Sequence, residues 1–223
     1  MATIHRTTMV PGKLDLLGDW LPQQPWYRDT GRPPVLTRAG GLRLDDPAGD
    51  VGIEFIFVTD GTEGEETTYH VPLAYRGAPL PEAPDGLLGT SEHGVLGTRW
   101  IYDAAHDPVA VTPLLDLICG GAVAQHQNDS DTLDPSVGRH WAPGGRPVAP
   151  RPLVVSNTEP GRTTIAVDLV DPASARADRR SLDLVRVLQP SADGAVIPAL
   201  GRVEADWTRL DGTTARGPVA VIR

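Results

Sequence analysis

The stretch from residue 19 to residue 28 constrains the fold most, because it concentrates large aromatic side chains in a chain that has few of them. Trp20, Trp26 and Tyr27 lie within eight residues of one another, whereas aromatic residues make up only 5% of the sequence. Each such side chain can bury about 150–250 Å². The cluster is therefore either an early anchor of the hydrophobic core or a surface that binds a ligand or a partner.

The same stretch has the side chains of a carbohydrate site, in which aromatic rings stack on the apolar faces of sugars while amides bind the hydroxyl groups. The candidate residues are Trp20, Gln23, Gln24, Trp26 and Tyr27. A short helix that ends near a proline-rich turn needs such residues equally to fix it to a sheet. We expect core packing to dominate, with Trp26 and Tyr27 as the two side chains that reach solvent.

Composition and charge exclude several classes of partner. The chain has 223 residues, of which 22% are charged and 40% hydrophobic, as in soluble globular proteins. Its net charge of −9 argues against non-specific binding to nucleic acid and to anionic membrane surfaces. No apolar run could span a bilayer and no signal peptide is evident, so we expect a cytoplasmic protein. The single cysteine, Cys119, excludes an internal disulfide.

The hydrophobic pattern predicts an α+β fold in which an antiparallel sheet is packed by one or two helices, followed by a small all-β module. Residues 1–126 form the first module, residues 127–151 a Pro/Gly-rich linker, and residues 152–223 the second module. In the first module we predict a helix over residues 13–21 and strands at 35–38, 41–44, 51–58, 67–75 and 94–103. In the second we predict strands at 152–156, 163–169, 181–188, 196–207 and 215–222, with turns at Asp193-Gly194 and Asp211-Gly212.

Two prolines lead to specific predictions. Pro72 lies in the strand at 67–75, and since proline cannot donate a backbone hydrogen bond, we expect an edge strand there. Pro113 lies near the start of the apolar segment 114–118. Proline fits the first position of a helix but disrupts its interior, so we expect the second helix to begin with Thr112 as its cap rather than at Asp107-Pro108.

Several of these segments together resemble the N-terminal cap of bacterial maltokinases. The run W-L-x-x-Q-x-W-Y at residues 20–27 follows a short amphipathic helix, as in that family. The paired strands around residues 58–61 and 69–73, the segment 88–90, and the later segments 102–104 and 114–118 follow in the family's order. The resemblance implies the cap fold and a role near the metabolism of maltose, trehalose or glycogen.

Beyond the linker, the resemblance extends in patches to part of a kinase small lobe. Ser156, Asn157 and Thr158 are similar to the family's S-N-T loop, which covers nucleotide phosphates. Residues 184–188 are similar to the strand that carries the nucleotide-binding lysine, and Arg186 occupies the place of that lysine, or Val185 if the register shifts by one residue. Arginine keeps the charge, but its planar guanidinium group is not equivalent to an ammonium group.

The sequence lacks the remaining parts of a kinase. No H-x-D-x-x-x-x-N or D-F-G-like motif follows residue 186, and the residues after it read as strands. We therefore predict no catalytic residues, no cofactor and no metal site, the histidines being scattered without H-x-x-x-H spacing. Lys13 is the only lysine, so any chemistry that needs a lysine must use it.

Three functional hypotheses follow. The first is a non-catalytic, cap-like interaction or regulatory module that binds an enzyme of maltose, trehalose or glycogen metabolism. The second is an oligosaccharide-binding module. The third is one subunit of a split sugar kinase, or a divergent glycan-active enzyme. A surface left open where a catalytic lobe would pack would bind a protein partner or a second copy of the chain.

Overall fold

The described part of the chain folds into two antiparallel β-sheets, two short α-helices and three single turns of 3-10 helix. The computed structural model describes residues 8–129, 132–142, 145–171, 173–174, 176–192 and 198–223. Every strand pairing in these ranges is antiparallel. The predicted turn at Asp193-Gly194 lies outside the described residues, as do residues 1–7. Neither described helix is long and apolar enough to cross a membrane.

The first sheet holds the N-terminal half of the chain. Its elements in chain order are β1 Met9–Val10, α1 Lys13–Trp20, β2 Leu36–Leu44, β3 Gly52–Asp60, β4 Thr67–Arg76, β5 Leu87–His93, β6 Gly97–Asp103, α2 Pro108–Cys119 and β7 Gln125–His126. The strands lie side by side in the order β1-β5-β6-β4-β3-β2-β7. The helix predicted over residues 13–21 and the strands at 51–58 and 67–75 are thus confirmed within one or two residues.

The second sheet holds the rest of the chain. Its strands are β8 Gly138–Trp141, β9 Arg146–Val148, β10 Val155–Ser156, β11 Arg162–Val170, β12 Ala177–Val185, β13 Gly201–Thr208 and β14 Thr214–Ile222. The order is β10-β11-β12-β14-β13-β8, with β9 also paired to β11. Strands β8 and β9, of four and three residues, lie inside the predicted linker 127–151, so these parts of it belong to the second sheet.

The main hydrophobic core lies between the two sheets and around α2. Phe55 and Phe57 from β3, Leu114 and Ile118 from α2, and Trp207 from β13 belong to one buried cluster. The opposite face of the first sheet packs under α1 in a second cluster that includes Leu17 and Ile56. Since β3 is buried on both faces, its residues from Phe55 to Val58 are apolar without alternation.

Strand β4 is central in the first sheet, so the prediction of an edge strand from Pro72 is wrong. One side of β4 pairs with β3 along its whole length. The other side pairs with β6 only over Leu73–Arg76, whereas His70 donates its backbone N–H to Arg186 O at 2.9 Å. Pro72 lies between these two paired stretches. The strand tolerates it there because no strand among the described residues pairs with β4 at the position of its missing N–H group.

Helix α2 begins at Pro108, so the prediction of a start at Thr112 is also wrong. Asp107 caps the helix by accepting the backbone N–H of Val109 at 2.9 Å. The carboxylate of Asp107 is itself held by Arg76 through two hydrogen bonds of 2.6 and 2.7 Å. A proline inside a helix costs about 3 kcal/mol or more. The anchored cap and the burial of Pro113 in the core offset that cost.

The predicted antiparallel sheet packed by a helix is confirmed in the first half of the chain, but the molecule as a whole is mostly β-structure. The helices have only 8 and 12 residues. Because the main core includes side chains from both sheets, the two halves pack as neighbours around one interior. The likeness of the second sheet to a kinase small lobe stays a prediction, as do the module boundaries.

Candidate functional site

The aromatic cluster at residues 20–27 lies mostly inside the molecule. Trp20 is 7% exposed and Trp26 only 4% exposed, and their rings meet edge to face with centroids 5.7 Å apart. The expectation that Trp26 reaches solvent is therefore wrong. The indole ring of Trp26 packs against the ring of Tyr69 in β4, and the guanidinium group of Arg186 lies over it. The sequence alone does not reveal these two contacts, because both partners are far from Trp26 along the chain.

The other members of the cluster have structural partners as well. The side-chain amides of Gln23 and Gln24 donate to the backbone oxygens of Asp19 and Trp20, at 2.8 and 3.2 Å. These bonds satisfy carbonyl groups that the end of α1 leaves without helical partners. Half-buried Tyr27 donates its hydroxyl hydrogen bond to Asp60 at 2.8 Å. Burial, followed by the bond to the negative Asp60, raises the pKa of Tyr27.

Arg186 is fully buried at the junction between the two sheets. Its Nη2 donates to Asp103 Oδ2 at 2.5 Å, and its Nε donates to Thr163 Oγ1 at 2.7 Å. Its Cζ lies 5.1 Å from the ring centre of Trp26, a cation–π distance. Nη1 finds no hydrogen-bond acceptor among the described residues. Arg186, which the sequence places where a nucleotide-binding lysine would lie, is thus held by Asp103 of the first sheet, Thr163 of the second sheet and Trp26.

The predicted S-N-T loop lies next to this junction. Thr163 donates its hydroxyl hydrogen bond to Asn157 Oδ1 at 2.5 Å, so Asn157 is linked through Thr163 to Arg186. The hydroxyl groups of Ser156 and Thr158 are 3.2 Å apart at the surface. The structure therefore brings together Asn157, Arg186 and Trp26, which the sequence placed in two separate candidate sites. It does not expose Arg186 to a ligand.

His70 is the second buried basic group of the junction. Its ring stacks on Phe55 and meets Phe57 edge to face, and its Nδ1 donates to the carbonyl of Val185 at 3.1 Å. Burial, reinforced by the positive charge of Arg186, lowers the pKa of His70 to about 3. The imidazole is therefore neutral in the folded protein at any pH near neutrality.

Acid should weaken the fold through His70. In the unfolded chain its pKa is about 6.5, so below that pH the unfolded state takes up a proton that the folded state refuses. The contribution of His70 to stability is thus complete above pH 6.5 and is lost as the pH falls toward about 3. Between pH 6.5 and 5 the wild type should lose about 1.6 kcal/mol in total that His70→Gln does not lose, because the slope approaches about 1.4 kcal/mol per pH unit only well below pH 6.5. Urea denaturation at several pH values measures this, with exposed His140→Gln as the control. Equal pH slopes for wild type and His70→Gln would contradict it.

A cleft lies elsewhere, beside the start of α1 and against strands β2, β3 and β4. Its volume is about 890 Å³, within the range of small-molecule sites. Strand β3 contributes Glu54, α1 contributes Lys13, and β2 contributes Arg38. From β3, Ile56 and Val58 belong to the hydrophobic cluster under α1, and Glu54 is the next residue along the same face of the strand.

Glu54 lines this cleft, and its carboxylate accepts three hydrogen bonds and forms an ion pair with Arg38. Oε2 accepts hydrogen bonds from Lys13 Nζ at 2.5 Å and from the hydroxyl of Tyr75 at 2.8 Å. Oε1 accepts one from Gln127 Nε2 at 3.0 Å and lies 3.6 Å from Arg38 Nη2. Burial alone would raise the pKa of Glu54, but the charge and hydrogen bond of Lys13, with help from Tyr75, lower it below its usual range.

This cleft is a site that the sequence interpretation missed, although two signals pointed to it. Glu54 interrupts the apolar strand 51–58, and Lys13 is the only lysine in the chain. The sequence does not indicate that Glu54 and Lys13 form a pair, because the two residues are 41 positions apart. No group of three or more histidine, cysteine, aspartate or glutamate residues suited to a metal ion occurs within the described ranges.

The comparison with protein families gives one match. Residues 20–107 match the family model described as the maltokinase N-terminal cap domain. The matched segment includes Trp26, Glu54 and Asp103, and it ends at the residue that caps α2. Lys13, Arg186 and the whole second sheet lie outside it. No curated protein has a sequence that matches the chain.

Proposed function

We propose that this chain, whose residues 20–107 match the family model of the maltokinase N-terminal cap domain, is a cap-like interaction module in the metabolism of maltose, trehalose or glycogen. It acts in the cytoplasm by contact with an enzyme of that metabolism and transfers no phosphate itself. The family match supports the link to carbohydrate metabolism, and the interaction role is the step that goes beyond it.

The burial of Arg186 is the observation that carries the non-catalytic part of the proposal. A residue that steadies nucleotide phosphates must reach them, whereas the side chain of Arg186 is 0% exposed and is ion-paired to Asp103. Freeing it would leave the carboxylate of Asp103 buried without its counter-charge, which is costly. This arrangement supports a structural role for the cation that the family resemblance assigns to nucleotide binding.

Two measurements on the purified chain test the proposal. Radiolabelled ATP with maltose should give no labelled sugar phosphate, and biolayer interferometry should detect a saturable complex with a purified maltokinase or another enzyme that uses maltose, trehalose or glycogen. A kinase with an unrelated substrate is the control surface and should not bind. Label transferred to maltose by the chain alone would contradict the non-catalytic role. The absence of a complex with all of these enzymes would contradict the interaction role.

The same experiment addresses the split-kinase alternative. Label that appears only when the chain and a partner are mixed would favour that alternative over a purely regulatory role. Sugar binding by the aromatic cluster has no support in the structure, because Trp20 and Trp26 are both buried. A binding role for carbohydrate must therefore use another surface.

A further inference from the structure

The cleft around Glu54 breaks two rules of local structure at once. A carboxylate occupies a strand position whose neighbours on the same face, Ile56 and Val58, are fully buried aliphatic residues. A buried ion pair is seldom more stabilising than apolar side chains of similar size. Lys13 places a positive charge in the first turn of α1, where the helix dipole disfavours it. Positions that break such rules together are expected at functional sites.

The exposure of the charged groups divides their roles. The side chain of Glu54 is only 5% exposed, whereas those of Lys13 and Arg38 are 31% and 43% exposed. Glu54 therefore lies beneath the surface of the cleft and orients the donors around it. The ammonium group of Lys13 donates to Glu54 and lies 5.4 Å from the centre of the Tyr75 ring, and it makes no further hydrogen bond with the described residues, so its other N–H bonds can donate to a ligand.

The backbone is shaped to let Gln127 join these donors. Gly41 of β2 has a φ of +148°, and a Cβ atom there would lie 2.5 Å from Gln127 Nε2 and 2.3 Å from Phe55 O. Only glycine leaves room for the amide to reach Glu54. The arrangement around the carboxylate is thus specified by several separated segments of the chain.

The charges that line the cleft balance. Four cationic and four carboxylate side chains contribute to its walls: Lys13, Arg38, Arg43, Arg99, Asp15, Asp46, Asp50 and Glu54. A phosphate or a free cation would meet as much repulsion as attraction in such a site. A neutral molecule that both donates and accepts hydrogen bonds at many positions is the better match, and hydroxyl groups do both.

We propose that this cleft binds a neutral polyhydroxylated ligand of the saccharide class, with Lys13 and Arg38 donating to its hydroxyl oxygens and Glu54 as their positioning residue. The choice of a saccharide among neutral polyols rests on the proposed function. The binding itself needs no partner enzyme, so it is measured on the isolated chain. A failure to find a protein partner would leave the proposal of saccharide binding intact. A failure to detect saccharide binding would likewise leave the proposed interaction role intact.

The single lysine allows a direct experiment. A protein labelled with 15N-lysine has one side-chain ammonium resonance, which reports Lys13 alone. Maltose, maltotriose or trehalose at millimolar concentration should shift this resonance in a saturable way, whereas sorbitol and ATP should not. Isothermal titration should show that Lys13→Met weakens saccharide binding by about tenfold to a hundredfold, the loss expected for a hydrogen bond to a charged group.

Matched variants separate positioning from folding. Glu54→Gln keeps the volume of the side chain but releases Lys13, so it should weaken saccharide binding and broaden the ammonium resonance through faster exchange with water. Arg179→Met removes an exposed arginine from the pair with Asp168 and should leave binding unchanged. Thermal unfolding identifies the folded variants. The proposal is overturned if no saccharide shifts the wild-type resonance, if ATP or sorbitol binds instead, or if folded Lys13→Met and Glu54→Gln bind like the wild type.

Discussion

Replacing Asp103 with asparagine should destabilise the protein by about 3–5 kcal/mol, one of the largest effects expected of any single substitution. Asparagine preserves the shape of the side chain and the oxygen that accepts the backbone N–H of Ala105 at 3.1 Å. What it removes is the negative charge that Arg186 Nη2 contacts at 2.5 Å. The guanidinium group then stays buried between the sheets without a counter-charge.

Urea denaturation at pH 7 measures the loss for Asp103→Asn. The matched control is Asp168→Asn, which removes the same charge from another strand. Its partner Arg179 is 61% exposed, so that pair should contribute no more than about 1 kcal/mol. If Asp103→Asn cost as little as Asp168→Asn, the buried pair would have no special role.

Replacing Trp26 with alanine should also cost about 3–5 kcal/mol, as for other buried aromatic residues. Trp26 is 4% exposed and packs against Trp20, Tyr69 and the Arg186 guanidinium group. Truncation opens a cavity in the cluster under α1 and removes the ring that faces the buried cation. Trp26→Phe should cost less, because phenylalanine keeps an aromatic face toward Arg186 while losing part of the volume.

The control for this prediction is Gln23→Ala. Gln23 is exposed and its amide makes one hydrogen bond to the end of α1, so the loss should be about 1 kcal/mol or less. Chemical denaturation of the three variants ranks them. A ranking in which Trp26→Ala is as stable as Gln23→Ala would mean that Trp26 lies at the surface, as a ligand-binding residue would.

Local signals were sufficient for much of the fold. Leucines at helical spacing and Pro22 as a stop predict α1, and β-branched and aromatic residues predict β3 and β4. The turn at Asp211-Gly212 is confirmed, with Gly212 at a φ of +81° and Asp211 accepting the N–H of Thr213. These elements depend on residues that are neighbours in the chain, so their patterns are visible in one dimension.

The errors have a common cause, which is a tertiary partner that the sequence does not reveal. A proline in a strand indicates an edge position only where a neighbouring strand would accept a hydrogen bond from its missing N–H group. Strand β6 pairs with β4 from Leu73 onward and so does not reach Pro72. Pro113 suggests a later helix start unless Asp107 is anchored by Arg76, a residue 31 positions away. Each local rule holds, but a contact from a distant segment decides the outcome.

The candidate sites depended on distant contacts even more strongly. The sequence identifies Arg186 by its place in a resemblance, yet its partner Asp103 is 83 positions earlier. Glu54 and Lys13 are each unusual where they stand, but only the fold brings them together on one face of the sheet. The sequence therefore identified individual unusual residues but could not predict which of them lie together in one site.

We infer from its burial and its ion pair with Asp103 that Arg186 joins the two sheets rather than binding a nucleotide. A double-mutant cycle of Asp103→Asn and Arg186→Met tests it most directly, because the cycle isolates the energy of the pair from the other losses of each variant. We predict a coupling free energy of about 2 kcal/mol or more. The double variant should therefore lose less stability than the sum of the losses of the two single variants. A coupling near zero, together with MgATP binding that the wild type shows and Arg186→Met lacks, would contradict the account.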